Sequence, residues 1–224
     1  MKNGLALFLG VFAIIAVSWA GVLLSAHKQL GSLSQFRDPT DDTLYPQRMS
    51  GLADEGRMVY QDLGCAACHT QQVRHEGFGA DIARKWGQRP SYARDYIRDK
   101  TVLIGQSRMG PDLRNVGVRL GDTTGVDDYS DYFYKILYAP ESVASGNMPS
   151  YKFLFDTHST RDRQSSYLAL KLTGKFAPAS GSEVVPTHRA RALVAYLESL
   201  KDTYDYPTER SLNAPAETSK EEGH

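Results

Sequence analysis

Cysteine is nearly absent from this chain of 224 residues, which contains only Cys65 and Cys68. Two cysteines cannot supply a disulfide framework, and no further Cys or His pair lies at the spacing of a structural zinc site. An excess of charge is absent too, because 26 Lys and Arg residues balance 26 Asp and Glu residues. A nucleic-acid partner bound through bulk positive charge is therefore not expected. Internal repeats are also absent.

One long apolar run stands out from a globular composition of 41% hydrophobic and 23% charged residues. Residues 5–24 are almost wholly apolar, and about 20 such residues span a bilayer as a helix. The alternative is a signal peptide cleaved after Ala20. The run continues through residues 22–24, which is longer than a usual signal peptide core. The sequence therefore predicts a retained transmembrane anchor within residues 1–27.

The motif Cys65-Ala66-Ala67-Cys68-His69 is the attachment signal of a c-type haem. Two thiols on one turn can bond to the two vinyl groups of one porphyrin, and His69 is then held beneath the iron as its proximal ligand. The alternatives are a chance match or a redox C-x-x-C pair, but no βαβ context surrounds the motif. Covalent haem attachment occurs outside the bacterial inner membrane, so the bulk of the chain is expected in the periplasm.

The flanks of the motif show helical and turn signals. Residues 28–50 are polar and turn-forming, which predicts a linker. A helix then follows, with Leu52, Val59, Tyr60 and Leu63 on one face. Gly56 lies near that face and indicates a close helix crossing, and Gly64 should end the helix. Residues 70–108 are broken by glycines and prolines and predict an insertion, with a short helix around residues 92–98.

Gly110-Pro111-Asp112-Leu113 follows the insertion. A proximal histidine donates its Nδ1–H to a backbone carbonyl, and a proline-containing turn presents a carbonyl stiffly. We therefore assign this role to Pro111, with an ordinary turn as the alternative.

The remaining elements are assigned from apolar periodicity. An aromatic helix should end at Ala139-Pro140, a second helix should span residues 162–172, and residues 175–186 should form a loop. Thr187 should cap the last helix. The tail, residues 204–224, should be flexible. The apolar faces comprise Tyr129, Tyr132, Phe133, Ile136 and Leu137 in the aromatic helix and Ala190, Leu193, Tyr196, Leu197 and Leu200 in the last one.

Asn147-Met148-Pro149 lies in a loop after the aromatic helix. A thioether is the usual sixth ligand in electron-transfer cytochromes c, so Met148 is the favoured candidate. Met109, also in a loop, is the rival methionine, because Met49 and Met58 precede the haem motif. A second histidine could bind instead, and the candidates are His75, His158 and His188.

Together these elements resemble a class I cytochrome c domain over residues 51–203. The segments 56–65, 110–119 and 147–151, with one N-terminal membrane helix, look like the mono-haem cytochrome c subunit (subunit II, FixO-like) of a cbb(3)-type cytochrome c oxidase. The long insertion fits that family. The resemblance implies an all-α class I domain with a long insertion, preceded by one transmembrane helix.

The resemblance also implies a redox relay in the bacterial inner membrane. Electrons would arrive from a further cytochrome c subunit and pass to the haem–copper catalytic subunit, so this chain would be a non-catalytic electron-transfer subunit. Arg74, Arg108 and Arg119 flank the motifs and could pair with the haem propionates, or could be solvated surface residues. The alternatives are a nitric oxide reductase cytochrome subunit, a membrane-tethered electron shuttle, or a haem sensor or enzyme with an open iron.

Overall fold

A computed structural model describes residues 3–119, 129–144, 146–161, 164–207 and 209. The chain divides into two compact units. The first comprises Met1–Pro46 and Tyr92–Asp99, and the second comprises Gln47–Ser91 and Lys100–His224. Part of the predicted insertion therefore belongs to the first unit.

The first unit is dominated by helix α1, Gly4–Leu30. Its most apolar window has a mean hydropathy of 2.5, and none of that window is buried. A helix of this length is about 40 Å long, more than the roughly 30 Å hydrocarbon core of a bilayer. The helix satisfies its backbone hydrogen bonds internally, as a membrane requires. This apolar helix fits the predicted anchor, and it continues three residues beyond residue 27.

Residues 36–45, inside the predicted linker, form a hairpin. Strand β1, Phe36–Arg37, pairs antiparallel with strand β2, Leu44–Tyr45. Asp42 N–H donates to Asp38 O over 2.9 Å, and Arg37 pairs with Asp42 at 2.6 Å. The turn-forming aspartates therefore close a hairpin, so the linker prediction missed ordered structure. A 3₁₀ turn at Ala93–Tyr96, where a short helix was expected, completes this unit.

The second unit contains helices α2 (Gly51–Asp62), α3 (Tyr129–Tyr138) and α4 (His188–Ser199). Ser50 and Thr187 cap α2 and α4, since their hydroxyls accept hydrogen bonds from Ala53 N and Ala190 N. Helix α2 ends before Gly64, which has the left-handed φ of 69°. A glycine adopts this conformation without the steric cost that a side chain would add. The predicted cap at Thr187 and the predicted helix end are confirmed.

Helices α2 and α4 cross in direct backbone contact at Gly56. A Cβ atom on Gly56 would lie 1.8 Å from Ala192 O. One turn later, the rings of Tyr60 and Tyr196 pack edge to face with centroids 5.4 Å apart. The predicted close crossing is confirmed, but Leu52 is 39% exposed and does not take part in the core.

Helix α3 contributes Phe133 and Leu137 to the same core, as its periodicity predicted. Ser130 Oγ donates to Glu198 Oε1 of α4 over 2.5 Å. The helix ends at Tyr138, immediately before Ala139-Pro140, as expected. The side chain of Tyr129 lies outside the described part of the structure.

The second unit also contains an antiparallel pair of strands, of which the second lies in the segment that was expected to be a loop. Strand β3, Phe155–Ser159, pairs with strand β4, Ser182–Pro186, from Phe155 opposite Pro186 to Ser159 opposite Ser182. Residues 164–172 form turns and irregular structure, so the helix predicted for residues 162–172 is wrong over the described part. Residues 162 and 163 lie outside the description. Two short sheets therefore accompany the helices of the expected all-α chain.

The segment predicted as a flexible tail begins with packed residues. Tyr206 is only 1% exposed, and its ring lies 5.2 Å from that of Tyr204. Arg89 donates to Tyr204 O over 2.7 Å and lies over the Tyr206 ring. The packed unit therefore extends past the boundary predicted at residue 204, while residues 208 and 210–224 lie outside the description.

Candidate haem site

The cysteine motif forms a single tight turn after helix α2. Residues Cys65–Ala67 form a 3₁₀ helix, and His69 N–H donates to Cys65 O over 3.0 Å. Both cysteines are half-buried. Burial raises the pKa of the Cys65 thiol to about 11. Reactive redox thiols have lowered pKa values, so this environment argues against a redox C-x-x-C pair.

A second segment, residues 104–113, runs alongside this turn. Gln106 N–H donates to Ala66 O, and Ser107 Oγ donates to Ala67 O. Gly110 N–H donates to Cys68 O over 2.9 Å. This segment returns from the insertion and holds the motif through its backbone carbonyls.

The ring of His69 is held by Gly110 and Pro111. Its Nδ1 lies 2.8 Å from Pro111 O, which is hydrogen-bonding distance. Because a carbonyl can only accept, Nδ1 carries the proton and Nε2 is left free to bind a metal. A Cβ atom on Gly110 would lie 2.2 Å from His69 Cε1, so only glycine leaves room for the ring. The structure thus contains the contact expected for Pro111.

Two fully buried carboxyl groups support this arrangement. Asp112 accepts from Thr70 Oγ1 at 2.6 Å, from Gln72 N at 2.8 Å and from Arg114 N at 2.9 Å. Asp81 accepts from Arg74 N and from the side chains of Arg74 and Arg108. Burial alone would raise the pKa of Asp81, but the hydrogen bonds from both arginines outweigh it and lower that pKa to about 2.

The three arginines predicted at the haem propionates have protein partners. Arg74 and Arg108 bind Asp81 at 3.0 and 2.5 Å, and Arg108 also donates to Gln72 O. Arg119 donates to Asp112 O over 2.7 Å, and burial lowers its pKa. None is a simply solvated surface residue. Contact with propionates stays a prediction for all three.

Met148 lies half-buried in an irregular loop and packs against the core cluster that Cys65 also contacts. Burial raises the pKa of Tyr151, three residues later, and nearby Cys65 and Cys68 raise it further. Tyr151, which follows the loop, therefore lies near the cysteine motif. Met109, by contrast, is 80% exposed. The packing favours Met148 over Met109, and its role as sixth ligand stays a prediction.

The alternative histidine ligands lie in other settings. His75 is exposed, His158 is in strand β3 opposite Glu183, and His188 Nε2 is 2.7 Å from Glu55 Oε2. Among the described residues, no group of three or more His, Cys, Asp or Glu side chains could hold a metal ion. The donor set of two thiols on one turn and an oriented imidazole instead fits a haem c.

Comparison with protein families agrees with this geometry. A family model described as the mono-haem subunit of cytochrome c oxidase, FixO, matches residues 3–176. The chain belongs to the FixO family. FixO proteins are subunits of a membrane oxidase, which implies one haem and a catalytic oxidase partner for this chain, and the apolar helix α1 fits its membrane anchor. A comparison with curated proteins gives no significant match.

Sequence reasoning missed several residues that shape this FixO site. Asp112 was noticed only as part of a motif, and Thr70, Asp81 and Gly110 were given no role. The sequence signal lay in the spacing of two pairs. His69 pairs with Pro111 and Thr70 pairs with Asp112, and each pair is separated by 42 residues. Asp81 belongs to no recognisable motif, and of its two arginine partners Arg74 is 7 and Arg108 is 27 residues away.

Proposed function

We propose that this chain is the electron-transfer subunit of a cbb(3)-type terminal oxidase in the bacterial inner membrane. Helix α1 anchors it, and a class I cytochrome c domain faces the periplasm. The chain accepts electrons from a further cytochrome c subunit and delivers them to the haem–copper catalytic subunit. The chain itself carries no oxygen chemistry.

One observation supports this function above all others: the His69 ring is fixed against Gly110 with Nδ1 bound to Pro111 O at 2.8 Å. A metal ligand benefits from this restraint, because the hydrogen bond selects the tautomer and raises the basicity of Nε2. Next to two thiols on the same turn, the group that this histidine would bind is a covalently attached haem.

The chain's residues have distinct roles in this proposal. Cys65 and Cys68 would hold the group by thioether bonds, and His69 and Met148 would be the two protein ligands of its iron. Haem iron supplies reversible one-electron transfer when bound. An iron bound by both side chains would have no open site for oxygen or another ligand, which distinguishes this function from a haem sensor. Arg74, Arg108 and Arg119 lie close to the motif segments and provide positive charge for the propionates.

Acid-acetone extraction of the full-length membrane protein tests covalent attachment. Haem should remain on the wild-type polypeptide and should be lost from the double variant Cys65→Ala, Cys68→Ala. Extraction of all haem from the wild type would refute the proposal.

Substitution of Met148 tests the sixth ligand, and Met109 provides the matched control. Oxidised wild type and Met109→His should both show the far-red sulfur-to-iron charge-transfer band, and Met148→His should lose it while keeping the haem. The opposite result would assign the ligand to Met109. Loss of the band should be accompanied by a lower reduction potential, because imidazole donates more to ferric iron than a thioether does.

A further inference from the structure

The histidine turn and the proline segment pair in register. Cys68 O binds Gly110 N, His69 Nδ1 binds Pro111 O, and Thr70 Oγ1 binds Asp112 Oδ2. Both side-chain contacts connect residues 42 positions apart. Thr70 O then accepts from Leu113 N over 2.8 Å. The contact that orients the histidine therefore lies between two others that fix the same pair of segments.

The Thr70–Asp112 contact is the most buried of these. Asp112 is fully buried, and Thr70 is buried as well. Their oxygens are 2.6 Å apart, which is typical of a hydroxyl donating to a carboxylate. The same carboxyl oxygen accepts from Gln72 N, so it holds the chain on both sides of Gln71. Because Asp112 directly follows Pro111, its anchoring fixes the peptide that carries the Pro111 carbonyl.

We infer that Thr70 and Asp112 are positioning residues that set the strength of the hydrogen bond between His69 Nδ1 and Pro111 O, and through it the reduction potential of the bound haem. The inference deepens the proposed function and rests on it. A firmly held acceptor increases the electron donation of the imidazole, which favours the oxidised iron. Loosening the acceptor should therefore raise the potential.

Thr70→Val is the decisive variant, because it removes the hydroxyl while keeping the shape and the charge of the site. Thr70→Ser restores the hydroxyl, and Thr173→Val is the matched control, since Thr173 is exposed and makes no capping hydrogen bond. Asp112→Asn is less informative, because it also removes a charge. All variants are made in the full-length protein with its haem.

Two quantities are measured on each variant: the midpoint potential, by spectroelectrochemistry, and the solvent exchange of the His69 Nδ1 proton, by NMR. Thr70→Val should favour the reduced form about tenfold, which corresponds to a rise of about 59 mV for a one-electron couple. Its Nδ1 proton should exchange at least several-fold faster. Thr70→Ser and Thr173→Val should match the wild type in both.

Different experimental outcomes would overturn this inference and the proposed function. A wild type without covalent haem overturns the proposed function. Covalent haem with an unchanged potential and Nδ1 exchange in Thr70→Val overturns the positioning role, even if the melting temperature falls. If Thr70→Val does not accumulate with haem, the wild type decides: the Thr70 hydroxyl proton should exchange slowly, and rapid exchange overturns the inference.

Discussion

The crossing of α2 and α4 gives a sharp test of the packing, with Gly56→Ala as the change. The new Cβ would lie 1.8 Å from Ala192 O, 2.4 Å from Ala192 C and 2.8 Å from Tyr196 Cβ. Ordinary contact begins near 3.4 Å, so the helices must separate by more than 1 Å at a point where both sides are backbone or Cβ. Neither neighbour can turn away by changing a rotamer.

Two effects oppose each other in this variant. Alanine favours the helix over glycine by about 1 kcal/mol. Overpacking of a close-packed core costs about 1–3 kcal/mol, and separation also weakens the contact of Tyr60 with Tyr196. We expect a net loss of about 2 kcal/mol, which for a protein of this size lowers the melting temperature by roughly 4–8 °C.

Gly51→Ala is the matched control, because Gly51 lies in the same helix and a Cβ atom added to it would have no neighbour within 4 Å. Thermal unfolding of the detergent-solubilised holoprotein, followed by circular dichroism, compares the two variants. Gly51→Ala should be as stable as the wild type or slightly more so. Equal melting temperatures for the two alanine variants would refute the close crossing.

Three further predictions concern the candidate site, the stability at low pH and the packing of Tyr206. If the proposed function holds, Gly110→Ala should displace the His69 ring and reduce the low-spin fraction of the haem, whereas Gly51→Ala should not; unchanged optical spectra would contradict this. The pKa of Asp81 is lowered from 3.8 to about 2. The ionised carboxylate therefore adds roughly 2 kcal/mol to the free energy of unfolding above pH 4, and this contribution is lost as the pH falls towards 2. The stability gap between wild type and Asp81→Asn in urea titrations should close over that range. Tyr206→Ala should destabilise by about 3 kcal/mol while the control Tyr167→Ala, at a 92% exposed position, changes little.

Local sequence patterns predicted the elements that are determined locally. The cysteine motif, the cap at Thr187 and the stop at Gly64 each depend on a few neighbouring residues. Gly56 was also predictable, because a glycine inside an apolar helical face implies a close neighbour. The apolar periodicity of α3 predicted that Phe133 and Leu137 lie in the core.

Local sequence patterns did not predict the contacts between residues that are far apart in the chain. Strand β3 alternates around Asp156 and His158, which gives no continuous apolar signal, and its partner β4 lies more than 20 residues away. The buried network around Asp81 includes Arg108, which is 27 residues away and which no local pattern connects to it. Tyr206 follows a polar stretch, and no sequence pattern indicated its burial or its packing with Tyr204 and Arg89.

The pairing of Gln71 N–H with Ile104 O, at 2.8 Å, brings the two ends of the insertion together beside the cysteine turn. A loop whose ends are joined can change length at small entropic cost, since each doubling of a flexible loop costs only about 0.6 kcal/mol. Exposed positions between these ends, such as Phe78, can thus change without altering the distance between His69 and its proline partner, whereas the buried Asp81 cannot. For protein engineering, this closed base marks where an exposed part of the insertion could be shortened or replaced while the contact between His69 and its proline partner is kept.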